Sequence, residues 1–128
     1  MKATLLTCTP DSTSSLFRKH LGAVKKFTRD FEHIILDNNR APGFNHGKQS
    51  NRALKIARGD FLVLLDDDCI VREGWLEGLI HAAAKNRAAV AGGIHRYLND
   101  QINHAGAWLT PEGGAVHHHS VLKHDLFC

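Results

Sequence analysis

A chain of 128 residues is long enough for one domain with a core of its own, and little more. Its composition, 43% hydrophobic and 23% charged, is that of an ordinary globular protein, and a formal charge of +3 is too small to argue for a nucleic-acid partner. No apolar stretch approaches a membrane span, and the opening MKATLLTCTP lacks the apolar core of a signal peptide. Residues 3–8 predict a short strand, which Pro10-Asp11-Ser12 breaks while offering a helix N-cap. Leu16, Phe17, Leu21, Val24 and Phe27 then fall on one helical stripe. A second strand is expected over 31–36, ending at Asp37-Asn38-Asn39, followed by a loop rich in Pro, Gly and Asn. The next helix is expected over 48–57, with Gly59 at its C′ position. Phe61-Leu62-Val63-Leu64-Leu65, bounded by Gly59-Asp60 and then by acids, reads as a buried central strand. Trp75, Leu76, Leu79, Ile80 and Ala83 repeat at helical spacing, and 88–91 is expected as a fourth strand ended by Gly92-Gly93. Trp108 with Pro111-Glu112-Gly113-Gly114 reads as a hairpin between two short strands. Strand and helix alternate, so the class is α/β with a mostly parallel sheet flanked by helices.

The acids after the third strand are the most informative feature. Asp66, Asp67 and Asp68 repel one another, so folding alone gives no reason to gather them. A divalent cation supplies one, and so does a ligand hydroxyl needing acceptors; a solvated acidic turn is the plainer alternative. In open α/β sheets ligands bind beyond the carboxyl ends of the strands. Thr7-Cys8-Thr9, Asp37-Asn38-Asn39 and Asp66-Asp67-Asp68 stand at three such ends, and would line one cleft if the strands are neighbours. Magnesium or manganese is typically held by one or two carboxylates, with phosphate oxygens and waters completing the shell. A nucleoside diphosphate group with a metal fits this arrangement. The chain has no glycine-rich phosphate loop of the GxGxxG or GxxxxGKS type, and the arrangement needs none.

Asp37-Asn38-Asn39, Gly43-Phe44, Asn51, the run 57–68 and Gly74-Trp75-Leu76-Glu77 together resemble the family 2 glycosyltransferases of the GT-A fold. The segment 57–77 is the specific part, and the resemblance extends from Thr4 to about Gly93. It implies a Rossmann-like GT-A nucleotide-binding half and transfer of a glycosyl group from a nucleoside diphosphate sugar, with a Mn or Mg ion. Thr7 and Thr9 then lie where the nucleotide rests against the first strand, and Asp37 matches the acid that contacts the donor base. Asn51 matches a recurrent Asn at the edge of the nucleotide site. Asp66, Asp67 and Asp68 match the DXD-type motif, with Asp67 near the ribose and Asp68 as metal ligand. Members often carry an arginine immediately before that Asn; this chain has Ser50, leaving Lys48 or Arg52 to meet phosphate.

On this reading 1–128 is a single GT-A-like domain. The donor-binding core spans about 3–93, and 94–128 forms short strands and loops leading to a missing acceptor region. The family's catalytic base lies further downstream. Glu112 and Asp125 are the only acids after Asp100, neither sits in a matching motif, and no catalytic residue is assigned. The alternative is a non-catalytic nucleotide-sugar-binding module or an inactive fragment. A phosphoacceptor domain would want acids at the end of the first strand as well, where Thr7-Cys8-Thr9 supplies none. A sheet built to be covered by a second half leaves an uncovered edge, which predicts self-association.

The remaining features are less specific. His117-His118-His119, with His104 and His124, is open to three readings: a surface loop, a contribution to the donor metal site, or an independent zinc site. His20, His33, His46, His81 and His95 read as surface residues. Cys8, Cys69 and Cys128 show no CxxC spacing and read as thiols in a reducing compartment, so a cytoplasmic location is expected. The basic residues Arg18, Lys19, Lys25, Lys26 and Arg29 form a solvated helix face, or one turned to the inner face of the membrane, where a lipid-linked acceptor would lie.

Overall fold

The computed structural model describes residues 2–38, 42–43, 45–97 and 99–117. The chain divides into two compact units, Met1–Trp75 and Leu76–Cys128.

The first unit is built on three parallel strands, β1 (Ala3–Thr9), β2 (Phe31–Asp37) and β3 (Phe61–Leu64), in the order β2-β1-β3. Helix α1 (Ser15–Phe27) links β1 to β2, and α2 (His46–Leu54) lies between β2 and β3. Every residue of β1 is buried. Its three threonines enter the core because their hydroxyls are satisfied: Thr4 donates to Glu32 Oε1 at 2.6 Å, Thr7 meets His33 Nε2 at 2.9 Å, and Thr9 donates to Asp67 Oδ2 at 2.7 Å. The central strand is therefore β1. The apolar run expected to be central forms the edge, with Phe61, Leu62 and Leu64 exposed. Apolar content marked this segment as a strand; neighbour count, which hydropathy does not encode, decided its place.

Helix boundaries also differ from expectation. Ser14, beyond the expected Pro10-Asp11-Ser12 segment, caps α1 by accepting from the Phe17 amide at 3.1 Å. Residues Phe17, His20, Ala23 and Val24 face inward, whereas Leu16 of the expected stripe is exposed. Asn45 caps α2 by accepting from the Lys48 amide at 2.8 Å, and the helix ends at Leu54, before Ala57. Gly59 thus stands beyond any C′ position. It passes so close to β1 that an added Cβ would collide with the backbone of Ala3 and Thr4. At this amino-terminal end of the sheet, Arg58 closes on Glu32 through its amide (2.7 Å to Oε1) and its guanidinium (2.9 Å to Oε2). The Thr4 hydroxyl, the Arg58 amide and guanidinium together hold the Glu32 carboxyl below its ordinary range.

The second unit contains most of α3 (Trp75–Asn86), which ends where Arg87 adopts a left-handed conformation (φ 51°) and the Ala88 amide returns to the Ala83 carbonyl at 2.9 Å. Residues 88–91, expected as a fourth strand, pair with no other strand among the described residues. The run offers little apolar surface to bury, and Val90 is 86% exposed. Two short antiparallel pairs follow: β4 (His95–Arg96) with β5 (Ile102–His104), and β6 (Ala107–Leu109) with β7 (Ala115–His117). The second pair is the expected hairpin, with Gly113 at φ 83° in its turn. Residues 118 and 119 of the histidine triplet, with His124, lie outside the described residues.

Candidate functional site

Parallel pairing puts the carboxyl ends of the strands side by side. Thr9 is in register with Asp37, and the Leu65 amide continues the ladder by donating to the Leu6 carbonyl at 2.9 Å. Chain order reverses about β1, with β2 on one side and β3 on the other. This is the switch point at which open α/β sheets form a ligand crevice.

The three aspartates separate in role. Asp67 turns back onto β1, accepting from the Thr9 hydroxyl, which itself accepts from the Asp11 amide at 3.2 Å. Asp66 and Asp68 are exposed, and one ligand atom from each, with the Cys69 sulfur, lies within 4.8 Å of the others. The Cys69 amide donates to the Asp66 carbonyl at 3.2 Å, closing the turn that brings them together. Burial, with the charges of Asp68 and Asp66 next in weight, pushes the Cys69 thiol above its ordinary range. Two exposed carboxylates fit a hard cation such as Mg or Mn, which would complete its shell with ligand oxygens and waters; sulfur, a soft ligand, adds little for such an ion. Cys8, at the end of β1, is likewise raised by burial, opposed by a hydrogen bond from Ser50.

Asp37 accepts from the Ser12 amide at 3.1 Å and lines a cavity of about 460 Å³ with Ile35, Leu36, Gln49, Arg52 and Ile56. A second cavity of about 540 Å³, also lined by Arg52, has Asn45, Lys48, Asn51 and Lys55 around it. Of the residues expected at the site, the structure joins Asp66 to Asp68, Thr9 to Asp67, and Asp37 to the crevice beside β1. Asn51 lines the second cavity together with Arg52. Thr7 has its hydroxyl committed below the sheet end, to His33 and His20.

Sequence reasoning missed Cys69, Gln49 and the buried histidines. His20 is fully buried and His33 half-buried, not on the surface. The signal for His20 was present, since it stands three residues after Phe17 and four before Val24 on the inward face of α1. Burial, with His20 beside it, lowers the pKa of His33 to about 4.

A family model described as glycosyl transferase family 2 matches residues 10–109. No curated protein and no solved structure gives a significant match. The parallel sheet flanked by helices is the architecture of a GT-A nucleotide-binding half, and the function is of the glycosyltransferase type. Because the match runs from the loop after β1 to the end of β6, the chain belongs to glycosyl transferase family 2.

Proposed function

We propose that this chain binds a nucleoside diphosphate sugar at the carboxyl edge of β1–β3 for metal-dependent transfer of the glycosyl group to an acceptor. The observation that carries the reading is the pairing of Asp66 with Asp68 beside the crevice at Thr9 and Asp37. Asp66 and Asp68 hold the cation, a Mn or Mg ion, in this reading. Its chemistry is to neutralise negative charge on the departing diphosphate as a Lewis acid. The cavity at Asp37 takes the nucleoside: Gln49 supplies a second polar edge, and Ile35 and Ile56 give the base an apolar wall. Arg52, which lines both cavities, and Lys48 in the second, provide fixed positive charge for the phosphates. Thr9 keeps Asp67 out of the metal pair and free on its remaining oxygen to accept from ligand hydroxyls. An acceptor hydroxyl requires a base, and no described residue is assigned that role.

Among the described residues no helix is long and apolar enough to cross a membrane. A cytoplasmic location, with the basic face of α1 toward the membrane, belongs to the same proposal, as does self-association through β3, which the exposure of Leu62 and Leu64 supports.

Calorimetric titration with UDP, GDP and TDP, each with and without Mn, tests the proposal. The expected result is metal-dependent binding of one nucleotide, lost in Asp68→Ala and in Asp66→Ala. A folded chain that binds none of them with the metal present overturns it.

A further inference from the structure

Within the turn carrying the acids, the backbone bond from the Cys69 amide to the Asp66 carbonyl at 3.2 Å closes the loop. Asp66 and Asp68 are exposed, their like charges repel, and the next fully inward side chain is Val71. Three further fixed points come from β1 and α1. The Leu6 carbonyl receives the Leu65 amide before the turn, the Thr9 hydroxyl holds Asp67 within it, and His20 Nδ1 meets the Cys69 carbonyl at 2.8 Å after it. A carbonyl only accepts, so Nδ1 bears the hydrogen. The ring has no freedom to look elsewhere. It is fully buried, stacks on Phe17 (centroids 5.5 Å apart, planes at 19°), and has Thr7 Oγ1 at 3.4 Å from its other nitrogen. Thr7 is in turn fixed by His33 Nε2 at 2.9 Å. A rigid series of polar side chains thus runs from β2 through β1 and α1 to the backbone next to Asp68.

We propose that His20 is the positioning residue of the acidic turn: by holding the Cys69 carbonyl it fixes the backbone that presents Asp66 and Asp68 together. His20 touches neither ligand nor metal; it acts through the peptide that follows Asp68. The part concerning metal affinity rests on the proposed metal site, whereas the part concerning the turn does not.

The test compares His20→Phe, which keeps a ring against Phe17 and removes both nitrogens, with His20→Asn, whose side-chain amide can replace the Nδ1 donor. Hydrogen exchange at the Cys69 amide, relative to amides of β1, reads the turn without metal. In His20→Phe it should rise at least about tenfold more than in β1, and Mn affinity should fall about ten- to a hundredfold, as for other residues that orient ligands from behind. His20→Asn should restore both to within about threefold. In the unaltered chain, ¹⁵N spectra should find the ring hydrogen on Nδ1, a readout independent of any variant's folding. Unchanged relative exchange in a folded His20→Phe, failure of His20→Asn to restore it, or a ring hydrogen on Nε2 alone overturns the proposal. Absence of Mn binding by the unaltered chain overturns the metal site and leaves the exchange and tautomer results to decide the role of His20.

Discussion

The hydroxyl of Thr9 donates to Asp67 Oδ2 across 2.7 Å, tying the last residue of the central strand to the middle acid of the 66–68 triplet. This bond distinguishes one aspartate from its two neighbours, which share the exposed side of the turn with Cys69. Thr9→Val removes the donor while keeping the shape. It should lower stability by about 1–2 kcal/mol in urea titrations, since a half-buried carboxylate and the Asp11 amide each lose a partner. Asp67→Asn retains an acceptor for Thr9. It should leave Mn affinity within about threefold, whereas Asn at Asp66 or Asp68 should lower it more than about tenfold. Equal losses at all three positions would sink the division of roles.

Gly59 gives a second expectation. A Cβ there meets the backbone of β1, which cannot move without breaking the ladder on both sides. Gly59→Ala should cost about 2 kcal/mol or more. Gly78, inside α3 with nothing within 4 Å of an added methyl, serves as the control: Ala there should stabilise by about 0.5–1 kcal/mol. Midpoints of chemical unfolding measure both, and a neutral Gly59→Ala would refute the close approach.

Stability should fall on mild acidification because of His33. Its ring takes a proton near 6.5 when exposed but only at about 4 in the fold, so the unfolded chain binds more protons between these values. The contribution is complete above pH 6.5, is lost progressively as the pH falls toward 4, and is constant below that. Its size is on the order of 2 kcal/mol after allowance for solvent screening of a half-buried ring. Denaturant titrations from pH 7.5 to 4 should show this loss, and His33→Gln should flatten the profile over the same interval. A profile identical in both proteins would assign the acid sensitivity elsewhere.

The alternation of strands and helices, the strand ends at Thr9, Asp37 and Asp66, and the family itself were legible in residue order. Each depends on local periodicity or on a contiguous motif, and neither needs a partner across space. Three things were not legible. Which strand is central depends on pairing: the threonine-laced β1 is buried because Glu32, His33 and Asp67 satisfy its hydroxyls, while the more apolar β3 takes the edge. How the aspartates divide depends on one hydroxyl from a residue 58 positions earlier. The role of His20 depends on a carbonyl 49 positions away. Local sequence determines which chemistry is available and which element bears it. Only tertiary structure decides which polar atoms are already committed to one another, because a hydrogen bond requires its partner within about 3 Å and nothing in the spacing of residues measures that distance.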